Sequence, residues 1–169
     1  MKIALLYFYE LMIGIIVMSP VFSNKTALAS DQSFIAVSFA TFDIIQQQKL
    51  SAEGRLEYRL NKGNWQFDPF AGLMANLDAA RYVYAGFLYE FLLFRNFHLI
   101  PSFAPGFYYG GKSRNLHFGL EFRSQIEIAH YFKNDMKIGM SFSHISNASL
   151  GKPNPGVESF AITIVVPVN

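Results

Sequence analysis

The fold is indicated most clearly by the run Leu116-His117-Phe118-Gly119-Leu120-Glu121-Phe122-Arg123-Ser124-Gln125-Ile126-Glu127-Ile128. Apolar residues alternate in it with polar or charged residues, and a period of two residues indicates a β-strand. The polar set is too highly charged for the core face of a soluble sheet. The charged side chains instead suit the narrow interior of a barrel, so the apolar ones are predicted to face lipid. These outward residues would be Leu116, Phe118, Leu120 and Phe122.

The composition agrees with contact to lipid. The chain has 169 residues, enough for one domain, with 17% aromatic and only 15% charged residues. An ordinary globular domain carries about 25% charged residues. The absence of cysteine excludes disulfides and thiolate metal sites. A net charge of +2 argues against a nucleic-acid-binding protein.

We predict eight strands in the mature chain. They lie near 33–45, 51–60, 66–77, 81–92, 95–107, 115–131, 135–147 and 157–168. Each has about the 9–11 residues, or slightly more, that a tilted membrane strand needs. Eight antiparallel strands close into a barrel whose interior is filled by side chains, so a pore for solutes is not expected. The predicted fold class is therefore all-β, an eight-stranded antiparallel outer-membrane β-barrel.

The N-terminus has the features of an export signal. Lys2 precedes an apolar core at 11–18, and Ala27-Leu28-Ala29 fits the small-x-small pattern of a cleavage site. We therefore assign 1–29 to a signal peptide and 30–169 to the barrel. The alternative is an uncleaved membrane anchor.

Three polar residues near the C-terminus form the candidate site. His144 and Ser146 are two apart on one strand and so share a face. If the last two strands pair around Gly151, His144 lies opposite Glu158, with Cβ atoms about 4.5–5.5 Å apart. An odd-numbered strand of an outer-membrane barrel ends outside the cell. The three residues would thus lie on the outward, apolar face near the extracellular end of the barrel.

A carboxylate that orients an imidazole beside a hydroxyl makes serine a nucleophile. A serine and a histidine at this spacing are also common by chance, so the spacing alone leaves a non-catalytic role open. Four other serines are rival nucleophiles. These are Ser141, Ser143, Ser149 and Ser159.

The same stretch resembles a known family. Phe142-x-His144-x-Ser146-Asn147-Ala148, followed by Pro153-Asn154-Pro155-Gly156 and Glu158, is similar to the lipid A 3-O-deacylase family. The resemblance implies an esterase of the bacterial outer membrane that removes the acyl chain at position 3 of lipid A. It also implies that Ser146 is the nucleophile, His144 the base and Glu158 the residue that orients it. Asn147 and Asn154 would lie at or near the oxyanion hole.

The expected partners are lipopolysaccharide as substrate and the lipid of the outer membrane. No nucleic acid, metal or other cofactor is expected, and a homodimer is left open. Two other functions also stay open: a non-enzymatic barrel with a structural or adhesion role, and an outer-membrane phospholipase.

Further residues have expected places in the barrel. A network of charged side chains is expected in the interior, and several aromatic residues are expected in the interfacial girdles. The network would contain Arg55, Glu57, Arg59, Glu121, Arg123 and Glu127, and the girdles Trp65, Tyr82, Tyr84, Tyr108, Tyr109 and Tyr131. The alternative for Tyr108, Tyr109, Lys112 and Arg114 is contact with the phosphates of lipid A.

Overall fold

The computed structural model describes residues 32–61 and 67–168. Nine β-segments occur in this part of the chain: β1 Gln32–Phe42, β2 Ser51–Asn61, β3 Asp68–Asn76, β4 Arg81–Leu88, β5 Phe91–Phe94, β6 Phe97–Tyr109, β7 Leu120–Tyr131, β8 Lys137–Ser146 and β9 Val157–Val168. The predicted signal peptide and Trp65 lie outside the described residues. Within these residues there is no helix long and apolar enough to cross a membrane.

The sheet closes into a barrel. Each strand pairs antiparallel with its neighbours in the order β4-β3-β2-β1-β9-β8-β7-β6, and β4 then pairs with β6. β4 and β5 are two segments of one barrel strand, because both pair with β6. The molecule is therefore an eight-stranded antiparallel barrel, and the predicted fold class is confirmed.

Charged side chains fill the interior, as the alternation predicts. Arg59 Nη2 lies 2.9 Å from Glu127 Oε2, and Arg123 Nη2 lies 2.7 Å from Glu57 Oε1. Glu121 differs: it is fully buried, and its carboxylate accepts no hydrogen bond from the described residues. Because the interior is occupied by paired side chains, it resembles a solid core rather than a channel.

The outer face is apolar. Large exposed hydrophobic side chains lie on every part of the wall, among them Leu56, Leu73, Met140, Ile162 and Ile164. A soluble monomer rarely exposes a continuous apolar surface of this kind. In a bilayer the same surface contacts acyl chains, and the alternation of outward apolar with inward polar residues is that of a membrane barrel.

The predicted orientations of four residues are wrong. Leu116 is buried in the core cluster rather than facing lipid. β7 begins only at Leu120, so the alternation of the strand does not extend back to Leu116. Tyr82, Tyr84 and Tyr108 are also interior residues rather than girdle residues. Tyr82 and Tyr84 occupy inward positions of β4, where the Tyr82 hydroxyl donates to the carbonyl of Ala104 at 3.0 Å.

Four connections meet at the end of the barrel opposite the chain termini. They are 43–50, 77–80, 110–119 and 147–156. Backbone hydrogen bonds join some of them, as where the Lys112 N–H donates to the carbonyl of Asp78 at 2.8 Å. The last of these connections joins β8 to β9, the two strands that carry His144, Ser146 and Glu158.

Candidate active site

The candidate site begins with a histidine and a glutamate on adjacent strands. β8 pairs with β9 so that His144 stands opposite Glu158, the register expected from pairing around Gly151. His144 Nδ1 lies 3.0 Å from Glu158 Oε1. Because an ionised carboxylate only accepts hydrogen bonds, this contact places the ring proton on Nδ1. The lone pair of Nε2 is then available as a base.

The hydroxyl of Ser146 lies on the same strand face as His144. Ser146 ends β8, two residues beyond His144, and is half-buried. Both share the outward parity of Met140, which is 57% exposed. In this structure His144 Nε2 is buried and has no hydrogen-bond partner among the described residues, so it does not bond to Ser146. Catalytic hydrogen bonds are often long or poorly aligned before substrate binds.

Gly156 determines how closely the connection can approach the histidine ring. Its backbone has φ +64°, and a Cβ added there would lie 2.6 Å from Cε1 of His144. Only glycine tolerates both the left-handed conformation and this contact. The connection therefore covers His144, which explains how an outward-facing histidine is only 8% exposed.

The two asparagines of the connection make different contacts. Asn147 is fully buried, and its Nδ2 donates to the Pro153 carbonyl at 3.3 Å while its Oδ1 accepts from the Ser149 N–H at 2.9 Å. The backbone N–H of Asn147 donates to Asn154 Oδ1 at 3.1 Å. Asn147 thus holds the connection together. Because Asn154 Oδ1 already accepts this hydrogen bond, Asn154 Nδ2 is the atom of its amide that could donate to a substrate.

Of the rival serines, three face the interior of the barrel. Ser143 accepts a hydrogen bond of 2.9 Å from Arg55, and Ser159 donates one of 2.8 Å to Glu53. Ser141 is likewise buried at an inward position. Ser149 lies in the connection with φ +67°, beyond the end of β8. Among the five serines considered, Ser146 is the one that shares a strand face with His144.

Arg114 and Tyr108 are not placed to bind phosphate. Arg114 is only 7% exposed, and its guanidinium donates to side chains of the 43–50 connection. The Tyr108 hydroxyl donates to the Arg114 carbonyl at 2.8 Å. Tyr109, by contrast, is 68% exposed. The glutamines that hold Arg114 carry no sequence pattern that would have marked them.

A family model matches residues 37–167, and its description is lipid A 3-O-deacylase (PagL). This chain belongs to the PagL family. The match covers all of β2 to β8 and the whole candidate site, so family and barrel together place the protein in the bacterial outer membrane. A search of the curated proteins found no relative of this PagL-family chain.

Solved structures agree on the fold. The crystal structure of the outer membrane enzyme PagL matches with a TM-score of 0.62 and 22% identity, over 82% of this chain and all of that one. A de novo designed transmembrane β-barrel matches with a TM-score of 0.59 and 6% identity, over 81% and 95%. The Yersinia pestis outer membrane protein Ail matches at 0.52 and 11% identity, over 82% and 100%. At these identities the likeness concerns the fold alone.

Proposed function

We propose that this protein hydrolyses the ester-linked acyl chain at position 3 of lipid A, with Ser146 as nucleophile. The observation that carries the proposal is the His144–Glu158 pair, 3.0 Å apart, with an unpaired basic nitrogen on the strand face of Ser146. A buried base without a partner is costly unless it has a task. Membership of the family supplies the substrate class.

The proposed reaction has two steps, in which Ser146 is first acylated and then released by water. His144 Nε2 takes the proton of Ser146 Oγ as that oxygen attacks the ester carbonyl carbon. Collapse of the tetrahedral intermediate breaks the bond to the sugar oxygen, which receives the proton from His144. A water molecule then gives a proton to His144 and attacks the acyl-serine. The fatty acid leaves, and the proton returns from His144 to Ser146.

Glu158 and Asn154 support this chemistry in different ways. The Glu158 carboxylate keeps the imidazole in the tautomer that the first step needs, and it stabilises the imidazolium that forms. The Asn154 Nδ2 is the proposed donor to the negatively charged carbonyl oxygen. One such donor contributes about 2.7–4 kcal/mol in other hydrolases. Asn147 acts indirectly, since its N–H holds the Asn154 oxygen.

The surroundings of the site favour a lipid substrate. On β8 and β9 the face that carries His144 and Glu158 continues toward the membrane as Met140, Phe160 and Ile162, all exposed. An acyl chain lying along this face would stay in the hydrocarbon region while its ester reached the rim. A water-soluble ester would not enter the lipid that covers this surface.

Mass spectrometry of lipid A tests the proposal. Cells that express the protein should lose one 3-hydroxyacyl group from lipid A, and Ser146→Ala and His144→Ala should abolish that loss. Glu158→Ala should be milder, because the carboxylate contributes less than the other two members of a comparable triad. Added chelator should have little effect. Full activity of Ser146→Ala in a folded barrel would overturn the mechanism.

The same cells distinguish the alternatives. A phospholipase would release fatty acid from phospholipids and leave lipid A intact, while a structural or adhesion barrel would change neither lipid. A homodimer would be recognised from the mass of the detergent-solubilised protein.

A further inference from the structure

Gln46 links the 43–50 and 110–119 connections to the 147–156 connection beside the candidate site. It lies in the 43–50 connection, half-buried, and its Nε2 donates to the Pro155 carbonyl at 3.2 Å. Its Oε1 accepts a hydrogen bond from Nη2 of Arg114, which comes from the 110–119 connection. One amide thus joins three connections that are far apart in sequence.

Arg114 is itself held in place. Its Nη1 donates to Gln48 Oε1 at 2.7 Å and lies 3.7 Å from Asp43 Oδ2. Asp43 is fully buried, and its Oδ2 also accepts the Lys49 N–H at 2.7 Å. A guanidinium with fixed acceptors on one side is a rigid support, because its donors are planar and cannot turn independently.

The hydrogen bond of Gln46 ends at Pro155, next to the residue that contacts His144. Pro155, whose carbonyl Gln46 binds, precedes Gly156, the residue in contact with the His144 ring. On the other side of Gly156, the Ile44 N–H donates to the Glu158 carbonyl at 3.1 Å. The 43–50 connection therefore forms a hydrogen bond to the β8–β9 hairpin on each side of Gly156, the residue that contacts His144.

We propose that Gln46, supported by Arg114, is a positioning residue that holds the 147–156 connection against His144 and so aligns the His144–Glu158 pair with Ser146. The inference rests on the proposed function. Gln46 suits this role through its two unlike ends, since the oxygen faces a cation and the nitrogen faces a carbonyl. A misplacement of about 1 Å can cost about 100-fold in rate.

A matched pair of variants tests it. Gln46→Glu keeps an acceptor for Arg114 but replaces the donor to Pro155 by a carboxylate that repels the carbonyl. Gln48→Glu makes the same chemical change on the other acceptor of Arg114, and among the described residues Gln48 makes no hydrogen bond to 147–156. We expect kcat on detergent-dispersed lipopolysaccharide to fall by about 10- to 100-fold in Gln46→Glu with KM little changed. Gln48→Glu should retain the parent kcat.

The outcomes separate a positioning role from a structural one. If the only role of Gln46 were to accept a hydrogen bond from Arg114, Gln46→Glu would be as active as the parent, and the inference would be wrong. Equal losses in both variants, or a loss confined to KM, would also overturn it. Heat-modifiable migration in electrophoresis shows that each barrel has folded. Ser146→Ala in the same assay tests the proposed function separately, because it should be inactive whatever Gln46 does.

Discussion

At the residue scale, the two asparagines of the 147–156 connection are expected to respond differently to substitution. Asn154→Ala removes the proposed oxyanion donor together with the acceptor of the Asn147 N–H, so kcat should fall by about 10²–10³-fold, while the loss of that one hydrogen bond should cost only about 1 kcal/mol. Asn147→Ala removes contacts to Pro153 and Ser149, each worth about 1 kcal/mol. It should lower the thermal stability of the site as well as its activity.

The measurement is the rate of acyl release at two temperatures, together with protease sensitivity of the connection. Asn147→Ala should regain part of its activity on cooling, because an ordered connection is then more populated. Asn154→Ala should stay slow at both temperatures. If the two variants behaved alike, the separate roles given to these asparagines would be refuted.

At the element scale, the β8–β9 hairpin determines the position of the imidazole. Gly156→Ala would place a methyl group 2.6 Å from His144 Cε1 at a residue with φ +64°. The left-handed conformation alone costs a non-glycine residue about 1–2 kcal/mol, and the contact moves either the ring or the connection. We expect Gly156→Ala to remove most activity without unfolding the barrel.

Gly54→Ala is the matched control for this change. Gly54 lies on β2, and a Cβ added there meets nothing within 4 Å. Its activity and its unfolding temperature should equal those of the parent protein. Parent-like activity in Gly156→Ala would mean that the connection does not determine the position of His144.

At the scale of the whole molecule, the interior network contributes to the stability of the barrel. Glu57 accepts hydrogen bonds from Arg59, Arg123 and Tyr84, whereas Glu121 accepts none from the described residues. Glu57→Gln takes away the carboxylate that pairs with the buried Arg123, while Arg59 keeps Glu127, and should cost about 3–5 kcal/mol. Glu121→Gln is the same chemical change and should be neutral or stabilising.

The readout is the temperature at which each variant changes from folded to unfolded mobility in electrophoresis. Glu57→Gln should unfold at a clearly lower temperature than the parent, and Glu121→Gln should not. A Glu121→Gln variant as unstable as Glu57→Gln would indicate that Glu121 has a stabilising partner in the assembled barrel.

The sequence alone determined the strand pattern, the inward and outward faces of most strands and the pairing of His144 with Glu158. A period of two is a local signal, and the partners of a hairpin are close in sequence, so parity and turn position suffice. The same local rule failed at Leu116, because β7 begins only at Leu120. Tyr82 lies on the inward face of β4, although its residue type is typical of an interfacial girdle.

Only the tertiary structure decided which residues meet at the rim. Gln46 and Pro155 are 109 residues apart, and they meet because closure of the barrel brings β1 beside β9. The different hydrogen bonds of Asn147 and Asn154 likewise depend on the path of the folded connection. Contacts of this kind depend on the three-dimensional path of irregular connections, for which the sequence has no periodic signal.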